Sequence, residues 1–253
     1  MNSTLTYVYC LVRSTRRPAL RAVPAGLSGS RDLRLLAAGA GVWLVVSSVP
    51  ERRYGEAALQ RGLQNLDWVG RRAMEHEAVV EHFLAALAVL PMQLFTLFTS
   101  DERAVSHVTR DKRRIGRILA RIERQVEWGL RLAWDEQAVR GRVERAHDRP
   151  ATGAAFLARK RDLLDVKRVH LTEARAAADR LYRALSREAT AALRRTATEQ
   201  AAPGSRLLLD AAFLVPTRKA GAFRAALRRS TKTLGRSGLV VSLTGPWPPY
   251  NFI

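Results

Sequence analysis

Apolar and polar positions at the start of the chain follow the short period of β-strands. Three runs, "TYVYCLV", "DLRLLAA" and "VWLVVSSV", are rich in β-branched and aromatic residues. Runs of this length and composition predict strands, and the "GAG" between the second and third predicts a hairpin connection. The chain therefore opens with three predicted strands.

Beyond Pro50 the apolar residues recur at helical spacing. They are Ala58, Leu59, Leu63, Leu66, Val69, Ala73, Val79, Val80, Phe83, Leu84 and Leu87. This period predicts one long helix, or two nearly collinear helices that meet near Gly70. Pro91 ends the helix, because proline lacks an amide hydrogen and clashes with the preceding turn. The run "MQLFTLF" after it predicts a strand.

Another helix is predicted between Ser100 and Ile122. Ser100 has the side chain of an N-cap, and Asp101 and Glu102 place negative charge in the first turn, where the helix dipole favours it. The apolar positions inside it are Val105, Val108, Ile115, Ile118 and Leu119. The run "VEWGLRLAW" that follows predicts a further strand.

The second half of the chain begins with a long helical stretch. Apolar residues repeat every seventh position at Leu157, Leu164, Leu171, Ala178, Leu185 and Ala192. The companion heptad position holds Lys160 and Lys167, so packing within the chain is favoured over an extended coiled coil with another chain. Pro203 and Gly204 end the stretch. A strand "RLLLDAAFLV", a helix over 218–234 and a strand "GLVVSLT" then form a βαβ-like tail.

These elements predict an α+β fold in which helices cover a mainly antiparallel sheet. The polar segment 136–152 contains Gly141 and Pro150 and is typical of a linker. We therefore expect an N-terminal α+β domain over 1–135 and a helical plus βαβ domain over 153–253.

The net charge of +20 and the pI near 11.4 are the strongest features of the composition. Such a balance is typical of proteins that bind nucleic acid or anionic surfaces. However, nearly all basic residues are arginine and alanine is abundant, as in chains from GC-rich genomes. The arginines also alternate with Asp and Glu along the helices. We expect a mostly dispersed charge and keep an arginine-rich binder of nucleic acid or anionic surfaces as the alternative function.

Catalytic and metal-binding patterns are incomplete in this sequence. His76, Glu77 and His82 resemble a zinc-protease helix, but the second histidine would have to occupy the position of Val80. The single Cys10 lies in an apolar run and is interpreted as a buried hydrophobic residue. No phosphate loop or nucleophile elbow occurs. We therefore predict no enzyme activity, no metal and no cofactor.

Membrane and targeting signals are also incomplete. The uncharged stretch Phe83–Ser100 approaches membrane-spanning length, but Pro91 divides it. The basic N-terminal residues follow a short apolar run instead of preceding it, and Pro18 and Pro24 interrupt any amphipathic helix. These patterns predict a cytoplasmic protein without a membrane span.

The closing run "LVVSLTGPWPPYNFI" joins a predicted strand to prolines and aromatic residues. With the opening "TYVYCLV", the "HEAVVEHFL" and "VLPMQLFTLF" runs, "VEWGLRL" and "LLLDAAFLV", it resembles the gas vesicle protein GvpF/GvpL family from one end to the other. The motif residues that we single out are Pro91, Glu127, Trp128, Gly129, Gly245, Pro246, Trp247, Pro248, Pro249 and Tyr250.

The resemblance implies a non-enzymatic accessory protein that takes part in gas vesicle assembly. Its implied partners are the gas vesicle shell protein and other accessory proteins, and its implied fold is a ferredoxin-like variant followed by a helical segment and a C-terminal α+β part. Two residues depart from the family's usual "PLRFGTVF": Gln93 replaces the arginine and Phe95 replaces the glycine. The basic balance also contrasts with the acidic character of many members.

The resemblance further implies that the C-terminal segment folds back over the protein. Prolines cannot donate to a strand ladder, so we expect the strand to end at Gly245 and Pro246. Trp247 and Tyr250 would then supply apolar area, with Trp247 buried. The alternative is an exposed tail that its prolines keep extended for a partner.

Overall fold

The computed structural model describes residues 3–39, 41–135, 153–196, 204–232 and 238–253. The strands are β1 (Thr4–Arg13), β2 (Arg31–Ala37), β3 (Val42–Pro50), β4 (Ala88–Pro91), β5 (Leu97–Phe98), β6 (Gln125–Asp135), β7 (Ala191–Arg194), β8 (Ser205–Pro216) and β9 (Leu239–Trp247). The helices are α1 (Glu51–Tyr54), α2 (Glu56–Gly62), α3 (Leu66–His82), α4 (Asp101–Arg110), α5 (Lys112–Arg121), α6 (Gly153–Ser186) and α7 (Ala220–Thr231). Short 3-10 helices cover Thr217–Lys219 and Tyr250–Phe252.

The chain divides into two compact units. The first contains Met1–Val126 together with Trp247–Ile253, and the second contains Glu127–Pro246. The domain limits expected from the sequence, 1–135 and 153–253, stay a prediction, and the expected linker 136–152 lies outside the described residues.

Strand β1 is the centre of the sheet in the first unit. The sheet has the order β2-β3-β1-β4, β5 also pairs with β1, and these pairings are antiparallel. Residues Tyr7 to Val12 of β1 are buried. The pairing with β3 shifts register between Val8 and Cys10. A bulge of this kind explains why Tyr9 and Cys10, although adjacent, belong to the same apolar cluster.

Helices cover the two faces of this sheet in the first unit. Val79, Val80 and Phe83 from α3 and its C-cap join Tyr7, Tyr9 and Val12 in one cluster. Ala104, Val108 and Leu119 from α4 and α5 join Val8 and Leu11 in the other. Because successive side chains of a strand point to opposite faces, β1 supplies both clusters.

The second unit contains a sheet of order β7-β8-β6-β9. Strand β8 pairs antiparallel with β7 and is buried from Leu209 to Val215. Helices α6 and α7 pack with β8 and with each other. The buried residues that they contribute are Ala174, Ala177, Ala178, Leu181, Leu185, Phe223, Ala226 and Leu227. The predicted α+β class is confirmed, while the ferredoxin-like description of the N-terminal part stays a prediction.

The long helix expected after Pro50 is interrupted. Helix α2 ends at Gly62, and α3 begins after Asn65, whose side chain accepts a hydrogen bond of 3.0 Å from the amide of Trp68. An asparagine in this position caps the new helix, so the break falls here instead of near Gly70. The predicted N-cap at Ser100 is confirmed, since its side chain accepts from the amide of Arg103.

The secondary structure predicted from the sequence is wrong for three segments. Ala88–Pro91, expected as a helix end, is a strand that pairs with β1, with Pro91 opposite Cys10. After Pro91, Leu97–Phe98 alone is a strand, although the whole "MQLFTLF" run was predicted as one. Short apolar runs suit either state, and pairing with a buried neighbour decides between them. Likewise β7, which contains Ala192, interrupts the predicted helical repeat.

Candidate functional site

The last strand extends further than the sequence predicts. β9 runs through Gly245 and Pro246 and ends at Trp247, so the expected end at Gly245 is wrong. Gly245 has a φ of 113°, a conformation that side-chain-bearing residues rarely adopt. Pro248 and Pro249 follow the strand and are buried.

The residues after β9 belong to the first unit. Phe252 is 5% exposed, whereas Trp247 is half-buried and Tyr250 is 38% exposed. The buried aromatic residue of this segment is therefore Phe252, and the expected burial of Trp247 is only partial. The hydroxyl of Tyr250 bonds to the carboxylate of Glu77 on α3. Burial, followed by this carboxylate, raises the pKa of Tyr250.

A buried polar cluster lies between β1 and α3. The hydroxyl of Tyr7 lies 2.6 Å from Nδ1 of His76, which is 4% exposed. Burial lowers the pKa of His76 to about 4, so the ring that shares this hydrogen bond with Tyr7 is neutral at pH 7. The hydroxyl of Tyr9 lies 3.0 Å from Oγ of Ser47 and accepts from the amide of Leu27 at 2.9 Å.

Phe95, one of the two departures from the family pattern, lies beside this cluster. Its φ is 66°, in the left-handed region that favours glycine. The ring stacks on Trp68 with centroids 5.3 Å apart, and its amide lies 3.4 Å from the hydroxyl of Tyr7. The aromatic stack offsets the cost of the backbone conformation at this position. The other departure, Gln93, accepts two hydrogen bonds from Thr96 through its carbonyl.

The "EWG" motif lies on β6 in the second unit. Glu127 and Trp128 are 3% and 6% exposed, and the Trp128 ring lies 6.0 Å from that of Phe223. A Cβ on Gly129 would lie 2.7 Å from Oγ1 of Thr244 on β9. Glycine is therefore required for the close approach of β9 at this point.

The motif residues do not form a single cluster. Pro91 is buried at the end of β4, the residues from Trp247 onward lie in the first unit, and 127–129 lie in the second. Their roles in function stay a prediction. Their positions instead indicate three structural sites where strands end, meet closely or bury an aromatic ring.

In the described parts of the chain, the groups that could bind a metal or react as a thiolate are the His, Cys, Asp and Glu side chains. Among those residues, no group of three or more His, Cys, Asp or Glu side chains could hold a metal ion. Cys10 is fully buried, and burial raises the pKa of its thiol, which disfavours the reactive thiolate.

Two carboxylates hold arginines in multiple hydrogen bonds. Asp101 accepts from Arg34 Nε at 2.9 Å and Nη2 at 2.5 Å and from the hydroxyl of Thr6 at 2.7 Å, and these bonds, led by Arg34, lower its pKa. Asp210 of β8, 8% exposed, accepts from Arg195 at 2.8 Å and from Arg131 at 3.2 Å. Each carboxylate therefore joins separate elements of its own unit, Asp101 in the first and Asp210 in the second.

Helix α5 carries a concentration of charge that the dispersed-charge prediction did not anticipate. Exposed arginines follow one side of α5 and the last residue of α4, at Arg110, Arg113, Arg114, Arg117 and Arg121. The signal was present in the sequence, because positions 110, 114, 117 and 121 share one helical face. Whether the charge is dispersed over the whole chain stays a prediction.

The fold and these sites define a two-unit α+β protein whose interior polar groups join strands, helices and loops. The family model described as gas vesicle synthesis protein GvpL/GvpF matches residues 5–253. The chain belongs to this family, which confirms the resemblance seen in the sequence.

Individual relatives agree with this assignment. The chain is 31% identical to gas vesicle protein L of Streptomyces sp. (strain CB03234) over 256 residues, covering 98% of this chain and 92% of that relative. The crystal structure of gas vesicle protein GvpF from Anabaena sp. PCC7120 is similar with a TM-score of 0.69 and 14% identity, covering 99% and 96% of the two chains. GvpF from Microcystis aeruginosa gives a TM-score of 0.67 at 14% identity and covers 98% of each chain.

Family membership gives the chain a gas vesicle-related role. The family consists of gas vesicle structural or accessory proteins and is not a known enzyme family. In the described ranges, every helix is too short or too polar to cross a membrane.

Proposed function

We propose that this protein is an accessory protein of gas vesicle assembly that contacts the shell protein and other accessory proteins. The observation that carries the proposal is the family match over 5–253, which includes both compact units and the C-terminal segment. Similarity to the GvpF fold over 99% of the chain supports the same role. The protein acts in the cytoplasm, on the nascent vesicle.

The state of the candidate groups supports a non-catalytic role. The Cys10 thiol is buried, and His76 is neutral and bonded to Tyr7 inside the first unit. General acid or base catalysis requires a group that can reach a substrate and titrate near the working pH. These two groups lie in the interior, which supports a function carried by surfaces.

Co-expression followed by affinity capture tests the proposal. The tagged protein is produced with the shell protein and, separately, with each accessory protein of the same gene cluster. We expect the shell protein or an accessory protein to be captured and to stay bound at 0.5 M salt, where contacts driven by net charge alone are screened. A basic protein of similar net charge is the control. Capture of none of the components would contradict the assembly role.

A further inference from the structure

Helix α5 and the hairpin between β2 and β3 border an open groove in the first unit. The groove has a volume of about 540 Å³. Its apolar side chains are those of Ala38, Val42, Val108, Ile115, Leu119 and Ala120. Gly116 also lines it, and apart from its chain neighbours and the backbone of its own helix no described atom lies within 4 Å of the position that a Cβ on Gly116 would occupy. The α5 side of the groove therefore has room for an apolar side chain from outside.

The charged residues at this groove have one sign. Of the described residues that line it, Arg13 and Lys112 are charged and none is acidic. Arg13 pairs with Glu123 at 3.4 Å, so Lys112 is the lining cation without a carboxylate partner in the described part of the chain. The groove is therefore apolar along its length and positive at its edge.

The exposed arginines of α5 extend this positive edge. Each residue of an α-helix is rotated by about 100° from the one before. Arg113 and Arg117 consequently lie next to Lys112, Gly116 and Ala120, on the solvent side of the groove. Within the described residues neither arginine makes an ion pair. Their charge is available to a partner's carboxylates.

Other occupants fit these walls less well. The amides of Ala38 and Val42 already donate within the hairpin, Ala38 to Val42 and Val42 to Gly39, both at 2.9 Å, so neither amide is free to pair with a strand in the groove. The lining residues that the structure describes include no aromatic side chain to stack on a base. The apolar face of α5 packs in the core through Ile118, Leu119 and Ile122, so it is not free to enter a lipid surface. A second copy of a chain with charge +20 would be repelled.

We propose that this groove binds an amphipathic α-helix of a partner protein. The apolar face of that helix lies along Ile115, Gly116 and Ala120, and acidic residues on its flank pair with Lys112, Arg113 and Arg117. Helix-in-groove recognition combines apolar anchors with a charged rim in this way. The identity of the partner as a component of vesicle assembly rests on the proposed function. The binding of an acidic amphipathic helix rests only on the chemistry of the groove.

Binding of a synthetic peptide to the full chain tests the groove. The probe is a fluorescent, helix-forming peptide with leucine on one face and glutamate beside it, followed by fluorescence anisotropy. The matched control is a peptide of the same composition whose order removes the apolar face. We expect binding of the first peptide, at least about tenfold tighter than the second. Equal binding of the two would show attraction by charge alone and overturn the proposal.

Gly116→Leu fills the groove without weakening the helix, since leucine favours a helix more than glycine does. We expect an unchanged or higher melting temperature and at least about tenfold weaker peptide binding. Undiminished binding by this variant would place the peptide elsewhere and overturn the groove assignment.

The charged rim is tested by Arg113→Glu with Arg117→Glu. The matched control is Arg224→Glu with Arg228→Glu on α7, which changes the net charge equally through exposed residues at the same spacing. We expect the α5 pair to weaken peptide binding at least about tenfold and the α7 pair to change it less than about twofold. Equal effects would contradict a local rim.

Duplex DNA and anionic vesicles are used as competitors in the same assay. We expect neither to displace the peptide at 0.15 M salt. If DNA or the vesicles displace the peptide, and Gly116→Leu leaves peptide binding unchanged, then the charged surface of α5 binds that anion and the groove proposal is wrong. Failure of peptide binding overturns the groove even if the shell protein is captured, whereas peptide binding with failed capture contradicts the proposed function and leaves the groove assigned.

Discussion

The interiors of the two units contain equally buried aromatic residues in different chemical settings. In the first unit, Tyr7 and Tyr9 are fully buried and their hydroxyls bond to His76, to Ser47 and to backbone amides. The rings of Tyr7 and Tyr9 also contact each other, with centroids 4.7 Å apart. In the second unit, Trp128 contacts Phe223, Phe223 contacts Phe213, and Phe213 contacts Tyr182, at centroid distances of 5.4 to 6.0 Å, and the central rings of Phe213 and Phe223 carry no polar atom.

This difference determines what each interior fixes. The tyrosine hydroxyls of the first unit reach the amides of Leu27 and Phe95, so they hold two loops against the central strand β1. A buried hydroxyl that loses its partner is costly, which makes these positions specific. The second unit relies on the volume and contacts of packed rings, so its stability depends on filling space.

The largest expected effect is in the second unit. Phe213 is fully buried between Tyr182 and Phe223, and Phe213→Ala should reduce the free energy of unfolding by about 4 kcal/mol through the cavity that it leaves. Phe213→Leu, which keeps most of the volume, should cost about 1 kcal/mol. Hydrogen exchange followed by mass spectrometry should show lost protection in β8 with β1 retained. Equal loss in β1 would contradict separate interiors.

The C-terminal segment provides the next test, within the first unit. Phe252→Ala should reduce the free energy of unfolding by about 3 kcal/mol, because Phe252 is 5% exposed. Trp247→Ala should cost about 1 kcal/mol, because Trp247 is half-buried. Ile253→Ala, at a residue that is 48% exposed, is the control and should change stability by less than about 0.5 kcal/mol. Chemical denaturation measures the free energy of unfolding of the three variants. A larger loss for Trp247→Ala than for Phe252→Ala would contradict Phe252 as the main anchor of the segment.

The C-terminal segment shows which structural features could be predicted from the sequence and which could not. The strand Leu239–Leu243 and the return of the tail were predictable, from alternation and from the family resemblance. The anchor was not, because Trp247 and Phe252 both have large apolar rings and burial depends on which one meets the first unit. The end of β9 was missed for a related reason: the strand runs through Gly245 and Pro246 to Trp247, against the local preference of these residues.

The pairing of strands limited the rest of the prediction. Ala88–Pro91 and Ala191–Arg194 continue helical patterns in the sequence, yet they pair with β1 and β8. The helix start at Ser100 was placed correctly from its N-cap, whereas the equally local Asn65 cap was missed because the apolar positions on both sides of it keep a helical period. The charged face of α5 had a local signal in its spacing, but its position beside an apolar groove depends on the β2–β3 hairpin, which is distant in sequence.

Acid should weaken the first unit through His76. The folded pKa of about 4 is below the ordinary value of 6.5, so the unfolded chain binds more protons between these values. Stability is therefore present above pH 6.5 and is lost as pH falls toward 4, by about 2 kcal/mol between pH 7 and pH 5. His76→Gln, which does not titrate, should lack this dependence. Denaturation at several pH values measures it, and an identical slope in both proteins would remove His76 as the cause.

The smallest expected effect separates backbone strain from stacking at Phe95. Phe95→Gly relieves a left-handed conformation worth about 1 kcal/mol and loses a stack on Trp68 of similar size, so the net change in stability should stay within about 1 kcal/mol. Phe95→Ala loses the stack and keeps the strained conformation, and it should be about 1 kcal/mol less stable than Phe95→Gly. The glycine variant restores the residue of the family pattern, so it also shows whether the stack compensates for that departure. Thermal melts of both variants give the difference. Equal stabilities would mean that the loop relaxes when the ring is removed, and that the Tyr7 hydroxyl does not hold the Phe95 amide in place.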